Sequence, residues 1–248
     1  MHKLRICTYN IHKGFSQFNR RMVIHELRDR LRVLDPDVVF LQEVQGMHLR
    51  HARRHADWPS EPQYEFLAGA RWQAAYGGNA AYGHGHHGNA VLSRYRIVAA
   101  DNHDVTQHRL ERRGLLHCEL ELPTVRSSIH CICVHLSLTE QQRVRQLAAL
   151  ASYIEKQIPA KAPLIIAGDF NDWRNRAADW AVERLGLREA FTTHVGMPAR
   201  SFPSNLPMLR LDRIYLRGFD VARAEVHWGR PWSGISDHAA LTAEIRLS

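Results

Sequence analysis

Pro163-Leu164-Ile165-Ile166-Ala167-Gly168-Asp169-Phe170-Asn171 is the stretch that decides how the rest of the chain is read. An unbroken apolar run of this length, with a proline in front and a glycine behind, marks a short strand covered on both faces. Its end changes character within a few residues: Asp169 and Asn171 put a carboxylate and an amide where the strand leaves its sheet. Ahead of it, Val144, Leu147, Ala151, Ile154 and Ile158 recur at helical spacing over 140–158, and the pattern stops at Pro159.

The start of the chain has the same order. Leu4–Tyr9 reads as a strand, Ile24, Leu27, Leu31 and Leu34 lie on one face of a helix that stops before Pro36, and Asp37-Val38-Val39-Phe40-Leu41-Gln42-Glu43 is a second apolar run ending in polar residues. Further strands are expected near 89–99, 114–122 and 128–136, then at Leu211–Arg217 and Ala239–Leu247. Strands and helices mix in both halves, with adjacent strand pairs that suggest antiparallel hairpins, so the class is α/β. Stretches 46–63, 76–88 and 196–210, rich in Arg, His, Gly or Pro, are expected as long surface loops.

At 248 residues, 45% hydrophobic and 23% charged, the chain suits one domain spanning 1–248. No apolar run is long enough to span a bilayer and no leader-like segment opens the chain, so the cytoplasm is the expected location. Cys7, Cys118, Cys131 and Cys133 fall inside expected strands without CxxC spacing, which favours buried reduced thiols over a zinc site. The net charge of +8 favours polyanionic partners, nucleic acid or an anionic lipid surface, without choosing between them.

The polar residues at strand ends carry the chemistry. Asn10, Glu43, His135, Asp169 with Asn171, and Asp237-His238 each adjoin an apolar run. Singly, each has an ordinary explanation as a turn former, a helix cap or a core histidine; together they match what phosphoester hydrolysis needs. Charge on the phosphoryl oxygens must be neutralised, a water aimed, and the leaving oxygen stabilised. Glu43 and Asp237 suit Mg²⁺ or Mn²⁺, with Asn10 as a neutral oxygen ligand or a partner beside it. Asp169 suits orientation and deprotonation of water, Asn171 a hydrogen bond to phosphate, and His238 and His135 the remaining polar contacts. Asp212 is placed to fix the tautomer of His238, the alternative being a surface pair with Arg213.

Seven short motifs, Thr8-Tyr9-Asn10-Ile11-His12, Leu41-Gln42-Glu43-Val44, Gly88-Asn89-Ala90-Val91-Leu92-Ser93, His135-Leu136, Gly168-Asp169-Phe170-Asn171, Leu211-Asp212-Arg213-Ile214 and Ser236-Asp237-His238, run in order along the chain. In that order and spacing the chain resembles the endonuclease/exonuclease/phosphatase superfamily, and Asn10–Gly14 resembles its small bacterial members. The resemblance implies a four-layer α/β/β/α sandwich of two mixed, largely antiparallel sheets with the site at one end. It implies Glu43 as principal metal ligand with Asn10 and Asp237 beside it, Asp169 and Asn171 on water and phosphate, and Asp212 paired with His238. Asn89 is counted among substrate contacts from its motif. Abasic-site nucleases of the superfamily commonly carry tyrosine where this chain has His135, which points away from that activity.

Other features weigh less. His12 and Lys13 are within reach of a substrate phosphate if Asn10 is at the site, and Arg113, with Arg109 and Arg112, is a candidate phosphate contact. Arg50, Arg53 and Arg54 form a second basic cluster, with no aromatic platform interleaved. The histidines of Gly83–Gly88 lack the partners of a zinc site and suit a loop at the rim. Ser201-Phe202-Pro203 is expected as a wall of the site. A divalent-metal phosphoesterase follows, a phosphodiesterase by preference: a nuclease or, alternatively, a lipid-headgroup or small-molecule enzyme. A non-catalytic relative would lack one of Glu43, Asp169, Asp212 or His238, and all four are present.

Overall fold

The computed structural model describes residues 3–123, 128–174 and 184–248. Its first sheet contains β1 (Lys3–Asn10), β2 (Val38–His48), β3 (Gln73–Tyr82), β4 (Gly85–Ser93), β11 (Phe219–His227) and β12 (Ala240–Leu247), in the order β11-β12-β1-β2-β4-β3. The second contains β5 (Arg96–Asp104), β6 (Gly114–Glu121), β7 (Ile129–His135), β8 (Leu164–Asp169), β9 (Arg188–Glu189) and β10 (Asp212–Arg217), in the order β5-β6-β7-β8-β10-β9. Each sheet has one parallel pair, β1 with β2 and β7 with β8, and is otherwise antiparallel. The parallel pairs are the ones joined by helices, α1 (Ile24–Leu34) and α4 (Glu140–Gln157), because a parallel return needs a crossover.

Period-two alternation sorts the central strands into layers. Ile6, Val38 and Phe40 meet Cys131, Cys133, Ile165, Ala167 and Ile214 between the sheets. The residues between them point outward: Cys7, Val39 and Leu41 pack against Ile24, Leu27 and Leu31 of α1, and Ile132, Val134, Leu164 and Ile166 against Leu147, Leu150, Ala151 and Ile154 of α4. Two helical layers thus enclose two sheets, the four-layer sandwich expected from the resemblance. All four cysteines are buried and unpaired, and burial pushes their thiols up, for Cys7 to about 12.

Several boundaries differ from the sequence reading. The stretch 76–88 is largely the β3–β4 hairpin, because its Gly and His residues pair through backbone; a Cβ on Gly88 would lie 1.8 Å from the Gly77 carbonyl oxygen. Within 46–63, β2 runs on to His48 and is followed by α2 (Leu49–Arg54), with α3 (Gln63–Ala68) beginning at its end. The strand expected over 89–99 is two, β4 and β5, which belong to different sheets. On α4 the buried stripe includes Arg143 and Leu150, leaving Val144 exposed. Arg143 turns inward to donate to the Ser137 carbonyl at 3.2 Å, where the chain leaves β7. β11 was not expected: Phe219, Val221, Ala224 and Val226 face the core, but a bulge between Val221 and Arg223 puts them out of step. Among the described residues no helix is long and apolar enough to cross a membrane.

Candidate active site

The polar strand ends meet at one end of the sandwich because β1, β2, β7 and β8 all run toward it, while β12 and β10 start there. Asn10 closes β1 opposite Gln42. One residue further along β2, Glu43 sits in a bulge: Leu41 pairs with Ala90 and Val44 with Gly88, so Gln42 and Glu43 face Asn89 alone. A bulge re-aims side chains, and Glu43 adopts the left-handed region at φ 57°. His12 (φ 45°), Lys13 (φ 59°) and Asn171 (φ 51°) do so as well. Four of the six non-glycine residues with positive φ among the described residues are therefore at this end. Strain of this kind persists only where surrounding structure holds it.

Asp169, buried at the end of β8, is the hub. Its Oδ2 accepts from Asn10 Nδ2 at 3.1 Å, a hydrogen bond from one sheet to the other. Its Oδ1 accepts from the Asn171 backbone N–H at 2.9 Å. The Nε2 atoms of His135 and His238 lie 3.5 Å and 3.8 Å from Oδ2. Gly168 makes this approach possible, since a Cβ there would stand 1.9 Å from the Val134 carbonyl oxygen and its φ is 149°. The Asn171 side chain donates to the Leu136 carbonyl at 2.9 Å, which fixes the turn after β8 and commits one of its two amide hydrogens.

Asp212 opens β10 opposite Asp169, and its Oδ2 is 2.8 Å from His238 Nδ1. Asp212 and Arg213 are not a surface pair: both are buried, and Arg213 donates to the Arg210 carbonyl at 2.7 Å. Two serines hold the loop before β12, and a third holds the start of β10. Ser236 Oγ donates to the Asn10 carbonyl at 2.7 Å and accepts from the His238 N–H at 3.2 Å. Ser204 Oγ donates to the Ser236 carbonyl, and Ser201 Oγ accepts from the Asp212 N–H at 3.2 Å. The Phe202 ring stands edge-on to His238 at 5.2 Å, so the segment expected as a wall is one.

Burial pushes the Asp169 carboxyl above the ordinary carboxylate range, with Asp212 adding to the rise. Burial alone would lower His238, but the Asp212 and Asp169 carboxylates outweigh it and hold the imidazolium. His135 goes the other way. It is driven well below the ordinary imidazole range by burial first, then by Arg113, His238, His87 and Lys13. Neutral His135 thus stands between the cations Arg113, Lys13 and His238 and the Asp169 carboxylate, which is 3.5 Å from its Nε2.

The donors present fit a hard cation. Glu43 is about one-fifth exposed and its ion-pair neighbour, Lys13 Nζ, is 3.9 Å away, leaving its oxygens able to take a metal. Asp237 Oδ1 is 3.4 Å from His12 Nδ1, and Asn10 Oδ1 accepts from the His12 N–H. A second set, Asp169, Asp212 and His238, has ligand atoms within 4.8 Å of one another. Two of those atoms are already joined by the hydrogen bond between His238 and Asp212, although Asp212 Oδ1 is buried without a partner.

Among the expected substrate contacts, His12, Lys13 and Arg113 lie about this end, Arg113 held by Glu111 at 2.9 Å. Asn89 is buried opposite the Glu43 bulge. Its amide nitrogen donates to the Gly114 and Cys133 carbonyls at 3.0 and 3.3 Å, which makes it a brace between the sheets. His87, read only as part of a rim loop, is on β4 within electrostatic reach of Glu43, Lys13 and Arg113, and burial lowers it to about 4. The basic stretch 50–54 does have aromatic neighbours: His51 stacks on Trp58 at 5.1 Å, and Phe15 packs against both.

The model of the endonuclease/exonuclease/phosphatase family matches residues 7–238. The chain is 47% identical over 244 residues to a protein of Escherichia coli named "Uncharacterized protein YbhP", covering 98% of this chain and 96% of that one. Among solved structures, an endonuclease/exonuclease/phosphatase from Beutenbergia cavernae superposes with a TM-score of 0.77 at 20% identity, covering 100% of this chain and 72% of that one. D. rerio TDP2 complexed with single-strand DNA product superposes with a TM-score of 0.75 at 19% identity, covering 99% and 100%.

Proposed function

The chain belongs to the endonuclease/exonuclease/phosphatase family, and on that premise we propose that it hydrolyses phosphodiesters with the help of Mg²⁺ or Mn²⁺. The observation that carries this reading is Asp169, a buried carboxylate joined to Asn10 of the other sheet and facing His135 and His238, with His238 in turn held by Asp212. Membership supports a phosphoesterase or nuclease; metal dependence and the bond cleaved are our own reading.

Glu43 is the principal metal ligand in this scheme, with Asn10 and Asp237 beside it, and the ion would neutralise charge on the phosphoryl oxygens. Asp169 takes the proton of the attacking water, a role for which its raised affinity for protons suits it near neutral pH. His238, kept protonated by Asp212, donates from Nε2 to a phosphoryl oxygen. The uncommitted amide hydrogen of Asn171 and the neutral ring of His135 supply further hydrogen bonds. Lys13, Arg113 and His12 attract and orient the anionic substrate, and Asn89 positions the Glu43 bulge.

Asp169→Asn and His238→Ala are expected to lower turnover of bis(p-nitrophenyl) phosphate at saturating Mn²⁺ by at least about 100-fold, with circular dichroism and Mn²⁺ affinity retained. Near-normal rates in either variant would remove that residue from the scheme.

A further inference from the structure

The exposed apolar side chains are unevenly placed. Phe18, Met47, Leu49, Leu110, Leu206 and Met208 are 71%, 57%, 51%, 84%, 61% and 59% exposed. Each lies on a loop or strand extension at the catalytic end: after β1, at the end of β2 and the start of α2, between β5 and β6, or before β10. The opposite end has exposed Val33 and Val98 but is finished mainly with paired charges, Asp35 with Arg71 and Arg94, and Arg96 with Glu121. Single exposed leucines need no explanation, but several on different loops at the same end do.

These tips stand on ordered turns. Leu110 is carried by a loop closed by the Val105 N–H to Arg113 carbonyl bond at 3.0 Å and the Glu111 N–H to His108 carbonyl bond at 2.9 Å. Leu206 follows a turn in which its own N–H meets the Pro203 carbonyl at 3.1 Å. Basic residues interleave with them: Arg50 adjoins Leu49 and Arg109 adjoins Leu110, and all four are exposed. Segments 11–23 and 200–211 carry Lys13, Arg20, Arg21, Arg200 and Arg210 and no acidic residue.

We propose that this rim docks on an anionic lipid bilayer, its aliphatic tips entering the interface and its arginines meeting lipid phosphates, so that the site below receives a phospholipid headgroup. The proposal rests on the phosphodiesterase reading for the reaction, but not for the docking. Apolar residues interspersed with Lys and Arg are the composition of interfacial binding surfaces. Nucleic acid fits less well. Bases stack on aromatic faces or guanidinium planes, whereas five of the six tips above are Leu or Met; Phe15, His51 and Trp58 stack on one another, and the exposed rings Phe18 and Trp173 each lie under an arginine, Arg20 and Arg143.

The test is vesicle flotation with full-length Asp169→Asn protein, which separates docking from turnover. Binding is expected to vesicles of phosphatidylglycerol with phosphatidylcholine and not to phosphatidylcholine alone. Adding Leu110→Asp and Leu206→Asp is expected to weaken binding at least about tenfold. The same two changes in the wild-type background should leave circular dichroism and hydrolysis of bis(p-nitrophenyl) phosphate unaltered. Absence of vesicle binding, equal binding by the aspartate variant, or preferential binding to oligo(dT) unaffected by the two changes would overturn the proposal. Absence of soluble-substrate hydrolysis by the wild-type protein, with vesicle binding intact, would instead count against the catalytic reading alone.

Discussion

Asp212 shows how one residue sets the protonation of another. Its carboxylate lies 2.8 Å from His238 Nδ1 and raises the imidazole against the burial that would lower it. Activity in the proposed scheme needs Asp169 ionised and His238 protonated. The rate should therefore climb as pH rises through the elevated Asp169 range and fall only when the imidazolium is lost. Because the two groups interact, the limbs belong to the pair. Asp212→Asn removes the partner that raises His238, so the alkaline limb should move to lower pH, with kcat reduced by about 10²–10⁴-fold. A kcat profile with its alkaline limb unmoved would show that Asp212 does not act through His238. Linkage has the same sign: a raised imidazole stabilises the fold fully below the unfolded value, near 6.5, and loses that contribution as pH rises through the folded one. The stability deficit of Asp212→Asn, read from urea unfolding, should accordingly be larger at mildly acidic pH than at alkaline pH.

The chemistry at the element scale depends on how β8 ends. Gly168 brings the strand close to β7 at φ 149°, and a methyl group there would be 1.9 Å from the Val134 carbonyl oxygen. Gly168→Ala should cost about 1–3 kcal/mol, visible in the urea midpoint, and should lower kcat because Asp169 is the next residue. An unchanged midpoint would mean that the strand end relaxes freely. β8, α1 and α4 were legible in the sequence because each writes its burial as an apolar run or stripe. The β3–β4 hairpin was not, since glycine and histidine enter its ladder through backbone pairing that leaves no apolar period, and neither was β11, whose core-facing Phe219, Val221, Ala224 and Val226 are put out of step by a bulge. Val144 misled for a related reason: spacing marks a helix face, but the inward turn of Arg143 decides which edge of that face is covered. The strand-end residues Asn10, Glu43, Asp169, Asp237 and His238 could be read because abrupt polar residues after apolar runs are visible in one dimension. His87 and the serine clamp of Ser201, Ser204 and Ser236 gain their places only from packing between segments far apart in the chain.

Over the whole molecule, the site is a joint property of both sheets. Asn10 reaches Asp169 across the sandwich, Asn89 braces β4 to β6 and β7, and Ser236 ties the loop before β12 to β1. The basic balance of +8 favours an anionic partner; at the seam Lys13, Arg113 and His238 stand beside the Asp169 and Asp212 carboxylates, and the oxygen donors of Glu43, Asp237 and Asn10 suit a hard cation. The most direct measurement of the central claim is hydrolysis of bis(p-nitrophenyl) phosphate by metal-stripped protein as Mn²⁺ or Mg²⁺ is added back, wild type beside Glu43→Ala, with Mn²⁺ binding followed by calorimetry. The account predicts no turnover without metal, saturable recovery in the wild type, and a parallel loss of Mn²⁺ affinity and of at least about 100-fold in rate in Glu43→Ala. Full activity in the metal-stripped protein, or unchanged Mn²⁺ affinity in Glu43→Ala, would contradict it.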